Sequence, residues 1–522
     1  MSPPKRSIFD ILPLELIGRI VKYAPGIHTL RCLRLVSKVM KEFADPLAFA
    51  STTISFLNGL EEAQSHLGSL ISGNGPNSRW TTHLSIKELV PSEPDFEEDY
   101  DDYYVMWDLQ QELLIPAIKA LKDGLTRVDL DLTMAFDPHV DIFEALAGFP
   151  KLRVLNVSVA GIDSHNRDED GVFPQISGLE ELNINSTGGE SGDFQKEARN
   201  LIVPSLPTLK KLCLNFTSKA PSDLSTLLIP GPPEVTSLLP SVSMIQHLRL
   251  HGSTYFAGRT SALYLKNLTH LDIHNDLKVS STHGDDPNAL FWDALSEANI
   301  RLQLLFVNRV TPTLLQYLAS YSGLVGLKIG GESEAEAYKN RQEGSESLAR
   351  NLFDSVIPHH CNTLKPLSFS HCDYRAWSVT EDYLKQILLC KSLVRLDIIY
   401  HFPKKLEVDK SFVSATPFIE IASLLSRLLD GTLPNLLTLI VVPAREPDDS
   451  FGLSWITSGP RMKLINGWRD LACGADLSSV SKSQVLTDPS FKLYFSLNSF
   501  TAKKPEVTFD RNNGHFKPVP KK

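Results

Sequence analysis

No apolar stretch in this sequence approaches the thickness of a bilayer. The longest runs, such as LLTLIVV from Leu436 to Val442, fall far short of the roughly 20 residues a membrane-crossing helix needs. A secretory leader is not expected either, because MSPPKRSIFDILPLELIGRIVKYA interrupts its apolar residues with prolines and acids. Cysteine is scarce. The six residues (Cys32, Cys213, Cys361, Cys372, Cys390, Cys473) are scattered, as free thiols in a reducing compartment would be, and not paired as a disulfide framework. The acceptor-like triplets at Asn156, Asn185, Asn215 and Asn267 therefore read as polar strand ends. Excess positive charge is also lacking: the net charge of −9 argues against a nucleic-acid surface, which needs lysine and arginine to displace counterions. Finally, there is no P-loop, dinucleotide fingerprint, G-x-S-x-G or H-E-x-x-H. The expectation is a soluble, non-catalytic protein of the cytoplasm, the nucleus or both, without cofactor or resident metal.

What is present starts with HHCNTLKPLSFSHC, His359 to Cys372. Its five metal-capable side chains lack the close ligand pairs of a zinc site. The segment does contain Leu364-x-x-Leu367-x-Phe369-x-x-Cys372, the spacing of a leucine-rich-repeat strand. The same nine-residue frame starts at Thr81, Leu125, Leu152, Leu179, Leu209, Ile245, Leu268, Leu302, Leu324, Leu364, Leu393 and Leu436. Apolar residues hold positions one, four and six, and polar residues mostly lie between them. Starts are separated by as few as 22 residues (Leu302 to Leu324) and as many as 44 (Thr81 to Leu125), so the connections carry helices and inserted loops. Helical patterns follow Asp137, Asp285, Thr311 and Thr380, each opening on a residue suited to cap a helix. A doubly wound parallel sheet also alternates strands and helices, but its strands would read as continuous apolar runs. These alternate, which favours an irregular α/β solenoid: a horseshoe with parallel strands on its concave face and helices outside.

Residues 7–50 have a different pattern. Pro13 and Glu15 open a helix bearing Leu16, Ile17, Ile20, Val21 and Ala24, and Pro25-Gly26 ends it. Thr29 is placed to cap a second helix with Leu30, Leu33 and Val36, and Ser37 a third that stops before Pro46. The three helices hold more large apolar residues than so small a core can hide.

The run Leu12-Pro13-x-Glu15-Leu16, Ile20, Leu33-x-x-Val36-Ser37-Lys38, Phe43 and Asp45-Pro46-Leu47 resembles the F-box motif, and its pairing with leucine-rich repeats resembles fungal-type F-box proteins. Met40 departs from the motif, where many members carry an aromatic. The resemblance covers about the first tenth of the chain. It implies a substrate receptor of an SCF-type cullin-RING ubiquitin ligase, binding a Skp-type adaptor, and through it a cullin, by the F-box and a protein substrate by the repeats. On this basis Leu12, Pro13, Leu16, Ile20, Leu33, Val36 and Lys38 are assigned to the adaptor interface or its support, although apolar pattern alone cannot separate contact from core. The alternative is a repeat scaffold outside the ubiquitin pathway.

The expected organisation is an F-box over 7–50, a helical linker over 51–80, repeats over 81–445 with an acidic insertion near 91–108, a C-terminal cap over 446–500 and a disordered tail over 501–522. Outward positions of two consecutive frames supply His247, Arg249 and His251, then His270, Asp272 and His274. They are candidate substrate contacts, with two histidine pairs flanking an Arg-Asp pair. A solvated face with compensating charges has the same pattern.

Overall fold

The structure is a computed structural model that describes residues 12–55, 60–73, 75–87, 108–121, 123–132, 139–160, 174–187, 193–216, 222–229, 243–252, 255–256, 259–274, 288–330, 345–369, 376–400, 424–443, 492–495, 507–510 and 515–518. The acidic insertion up to residue 107, Cys372 and most of the expected cap lie outside the described residues. The chain divides into two compact units, Met1–Tyr255 with Leu263–Asn267, and Phe256–Ala262 with Leu268–Lys522. Each contains six of the twelve frames.

Every frame forms a strand that begins two residues after its first position. In the first unit these are β2 (His83–Lys87), β3 (Arg127–Leu132), β4 (Val154–Ala160), β5 (Glu181–Thr187), β6 (Lys211–Phe216) and β7 (His247–His251). In the second they are β8 (His270–His274), β9 (Leu304–Val307), β10 (Gly326–Ile329), β11 (Pro366–Phe369), β12 (Arg395–Tyr400) and β13 (Thr438–Pro443). At all twelve frames positions one, four and six are no more than 3 % exposed. Two-residue alternation turns this apolar row to one face of the sheet and the intervening side chains to the other. Neighbours within each unit pair in parallel, so equivalent leucines stack, as Leu155 beside Leu182 and Leu182 beside Leu212. Truncating one of them, such as Leu396 at 0 % exposure, removes contacts from both neighbouring repeats and costs about 2–5 kcal/mol.

The carbonyl at frame position two makes the recurring link between repeats. It accepts two N–H groups from the next repeat: Thr126 O takes Arg153 N and Val154 N at 2.8 and 3.1 Å, and Val394 O takes Leu437 N and Thr438 N at 2.8 and 3.0 Å. Hydroxyls reinforce the same edge, with Thr208 Oγ1 donating to Leu179 O at 2.8 Å and Thr363 Oγ1 to Leu324 O at 2.7 Å. Pro366 stands at position three of its frame and has no N–H, so Val325 O receives only Lys365 N, at 2.7 Å.

Among the described residues, four longer strands lie outside the frames read from sequence. The expected helical linker begins with β1 (Ser51–Ser55), which pairs in parallel with β2, and only then turns helical at Leu60–Ile71 and Pro76–Trp80. Its inward residues are Thr52 and Ile54, and a threonine at position four hid the frame. Within the segment read as a cap, β14 (Lys492–Phe495) extends the parallel order from β13. The tail read as disordered contains β15 (Val507–Asp510) and β16 (His515–Pro518), an antiparallel pair joined to β14. The four expected helices are found at His139–Ala147, Ala289–Glu297, Pro312–Ala319 and Glu381–Ile387; Asp137 and Asp285 lie outside the described residues, and Asn288 precedes Ala289–Glu297 without a side-chain cap bond. Thr311 and Thr380 accept from the N–H groups of Leu314 and Tyr383, each at 3.3 Å.

In the N-terminal module α1 is Leu14–Lys22, α2 Gly26–Leu33 and α3 Lys38–Ala48. Ser37 caps α3 by accepting from Met40 N at 3.1 Å. Thr29 does not cap α2, which starts three residues earlier; its hydroxyl donates to Pro25 O at 2.8 Å inside the helix. Nor does α3 stop before Pro46, because a proline this close to the helix end forfeits only one hydrogen bond.

Gly252 fixes the exit from β7. It adopts φ +90°, and a Cβ there would lie 2.0 Å from Phe216 O, so only glycine fits. Gly252→Ala is expected to cost at least about 2 kcal/mol; a denaturant titration of the full chain should show its first transition at lower concentration than in the parent.

Candidate functional site

The helical module separates the residues assigned to adaptor contact into two groups. Ile17, Val21, Met40 and Ala44 form its closed core, and Leu12, Leu30, Leu33, Val39 and Phe43 pack against it. Leu12 and Leu33 are thus supports of the helices. Met40 is fully buried and supplies volume to this core. Pro13 and Lys38 are exposed, as are Leu16 and Ile20 at 44 % each and Val36 at 47 %. Leu16 and Ile20 lie four residues apart on one flank of α1. More apolar surface surrounds these positions in sequence: Leu14, Tyr23, Ile27, Leu35 and Leu47 are all exposed, Leu35 by 87 %. A three-helix module that buries five apolar residues and leaves eight large apolar ones exposed has the composition of an interface. Arg34 sits beside this surface, paired to Asp45 and stacked at 4.3 Å on the Phe49 ring.

The second candidate surface falls on strands of different units. His247, Arg249 and His251 lie on β7 in the first, and His270, Asp272 and His274 on β8 in the second. Within the first, Arg249 Nε donates to His251 Nε2 at 2.7 Å. Burial, with help from Lys211 and against Glu181, pushes the His247 pKa below its ordinary value, so this ring is neutral at pH 7. Within the second, His274 is 4 % exposed, lies 3.2 Å from Asp272 Oδ1 and meets the Phe306 ring edge-on at 4.1 Å. Thr269 Oγ1 is 2.8 Å from His270 Nδ1. Each of the three β8 side chains therefore has a local structural contact.

The polar face of the first unit also has a cluster that the sequence reading did not single out. Asp129 lies 2.7 Å from His83 Nε2 and 3.1 Å from Arg127 Nε, and accepts from Asn156 Nδ2. Burial raises the Asp129 pKa, but the bonds from Asn156, Arg127 and His83 outweigh it and hold the carboxylate below its usual range. The sequence signal was available: His83, Arg127 and Asp129 occupy outward positions of consecutive frames, and Asn156 follows in the next.

In His359-His360-Cys361, both ring nitrogens of His360 are committed to main chain. Leu324 N donates to Nδ1 at 3.2 Å and Nε2 donates to Leu318 O at 3.0 Å, so the ring ties one repeat's first frame position to the preceding helix. The Tyr321 ring meets it edge-on, with centroids 5.2 Å apart. A metal would have to break one of these bonds. Exposed His359 bonds Ser355 O at 2.9 Å. Cys390 is buried, and burial followed by the neighbouring Cys361 pushes its thiol up to about 12, where it stays protonated and inert.

Stacked frames of this kind define a leucine-rich-repeat architecture. No protein-family model matches the sequence, and no curated protein does. Among solved structures, the chain is similar to a leucine-rich repeat-containing protein, LegL7, from Legionella pneumophila, at 16% sequence identity and a TM-score of 0.30, over 70% of this chain and 96% of that one. Among the described residues, no helix is long and apolar enough to cross a membrane.

Burial, with a smaller contribution from His359, lowers the His360 pKa to about 4, against the opposing bond to Leu318 O. The unfolded chain takes up this proton near pH 6.5 and the folded one does not, so acid favours unfolding. The stability is fully present above about pH 6.5 and is lost as pH falls toward 4, by roughly 2 kcal/mol between pH 7 and 5. Urea titrations at the two pH values should show this loss in the parent and a shallower one in His360→Gln.

Proposed function

We propose that this protein is a substrate-receptor subunit of an SCF-type ubiquitin ligase. Its helical module binds a Skp-type adaptor that leads to a cullin, and its repeats hold a protein substrate. The observation that carries the reading is the exposed apolar set on the module, Leu16, Ile20 and Val36 with their exposed neighbours, standing outside a core already closed by Ile17, Val21, Met40 and Ala44. These three are motif positions of the F-box resemblance. The chain carries no catalytic step in this reading. It raises the local concentration of a substrate's lysines near a charged conjugating enzyme, and the transfer chemistry belongs to other subunits.

The broader reading is a repeat-based protein-interaction scaffold. It draws on the sheet faces, which present polar and charged side chains on rigid, regularly spaced strands. A scaffold outside the ubiquitin pathway would use the same faces without adaptor capture.

The test is capture of a purified Skp-type adaptor by the full chain, compared with Leu16→Ala/Ile20→Ala. Both side chains are exposed, so the variant should keep the parent's unfolding midpoint and lose at least about tenfold in adaptor affinity. Leu33→Ala should lose binding together with stability, because it opens the core. A parent chain that does not capture the adaptor would sink the ligase reading and leave the scaffold.

A further inference from the structure

Four asparagines gather on the polar face of the first unit. Asn156 on β4, Asn183 and Asn185 on β5 and Asn215 on β6 all stand at outward frame positions. Strand pairing sets Asn156 beside Asn183 and Asn185 beside Asn215, in rows that step about 4.8 Å from strand to strand. Asn215 Nδ2 donates to Asn185 Oδ1 at 2.8 Å, Asn156 is held by Asp129, and Asn183 is exposed. Ser158 lies beside Asn185 and extends the second row.

Asparagine is a poor strand former, and these four give the apolar core nothing. What they offer is a field of carboxamides, each with an acceptor oxygen and a two-proton donor, the complement of a peptide unit's N–H and C=O. The field has a charge polarity. On its β3 side Asp129 and Asp131 stand against one arginine, Arg127. On its other side Lys211 pairs with Glu181, and β7 carries Arg249, bonded to His251, between two histidines. From β3 to β7 is four strand spacings, about 19 Å, the span of roughly six extended residues.

We propose that this face binds an extended polypeptide segment of about six residues laid across the strands. The asparagines read its main chain, a basic side chain reaches the β3 aspartates and an acidic one reaches Arg249. The inference rests on the reading that the repeats hold a protein, and gives that protein a recognisable feature: an exposed, extended segment with opposite charges at its ends.

The experiment uses the full chain and four fluorescent, acetylated and amidated hexapeptides with four central alanines. Two have Lys and Glu at the ends, in either order; the others have Lys at both ends or Glu at both. One mixed-charge order is expected to bind at least tenfold more tightly than either like-charged peptide. Methylating its two central amide nitrogens, or testing Asn183→Ala/Asn185→Ala, should each weaken it at least tenfold without moving the protein's unfolding midpoint. Failure of both mixed-charge peptides to exceed the like-charged ones, or indifference to amide methylation, overturns the proposal. Adaptor capture by the same asparagine variant separates the two readings, since its helical module is untouched. Retained capture confines a failure to the sheet face, and lost capture in parent and variant alike marks failure of the receptor reading.

Discussion

One carbonyl per repeat sets the stacking on which the rest depends. The oxygen at frame position two is shared by two N–H groups of the following repeat, as Arg153 O is by Glu180 N and Glu181 N at 2.7 and 3.0 Å. This leaves no freedom to slide by one residue. A one-residue slip would turn the leucines at positions four and six to the polar face and bring Asn, Asp and His inside. Burial supplies most of the favourable free energy, but it is not directional; the shared carbonyl converts it into a fixed register. Outward side chains on successive strands then face one another at known spacing, so short-range chemistry can assemble from residues about 30 positions apart.

Much of this was legible in the sequence because the frame combines a period with a chemical type. The twelve frame starts marked where the strands lie, each beginning two residues on, and Thr311 and Thr380 marked their helices. β1 escaped because Thr52 replaces the leucine at position four and satisfies its hydroxyl against Thr81 at 2.6 Å, a compensation visible only in three dimensions. The terminal hairpin escaped for a related reason: its residues follow no frame, and antiparallel pairing replaces the parallel order there.

The candidate surfaces were less legible. Leu16 and Leu33 are the same residue type in the same motif, yet one faces water and the other supports the core; helical spacing alone cannot assign a side until all three axes are placed. The histidines show the opposite difficulty. Side-chain type alone does not say whether a histidine titrates, binds a partner or holds main chain: His360 serves as a main-chain bracket and burial lowers the His247 pKa. Asn156, Asn185 and Asn215 looked like strand ends, and with Asn183 they became a surface once register aligned them. In each case the missing information was what stands next to the residue, which is a property of topology.

Pro366 and Gly326 are one further product of that register. They sit side by side on β11 and β10, and a Cβ on residue 326 would lie 2.9 Å from the proline ring and 2.6 Å from Leu304. The ring occupies the room that a side chain at 326 would fill, while its nitrogen leaves Val325 O with a single donor. The two positions therefore form an ordered pair in sequence space. A lineage can replace the proline first, regaining a hydrogen bond and clearing one of the two contacts at 326, but enlarging the glycine first meets both the ring and Leu304. Enlarging residue 326 therefore needs room from two neighbouring strands, the proline ring on one side and Leu304 on the other.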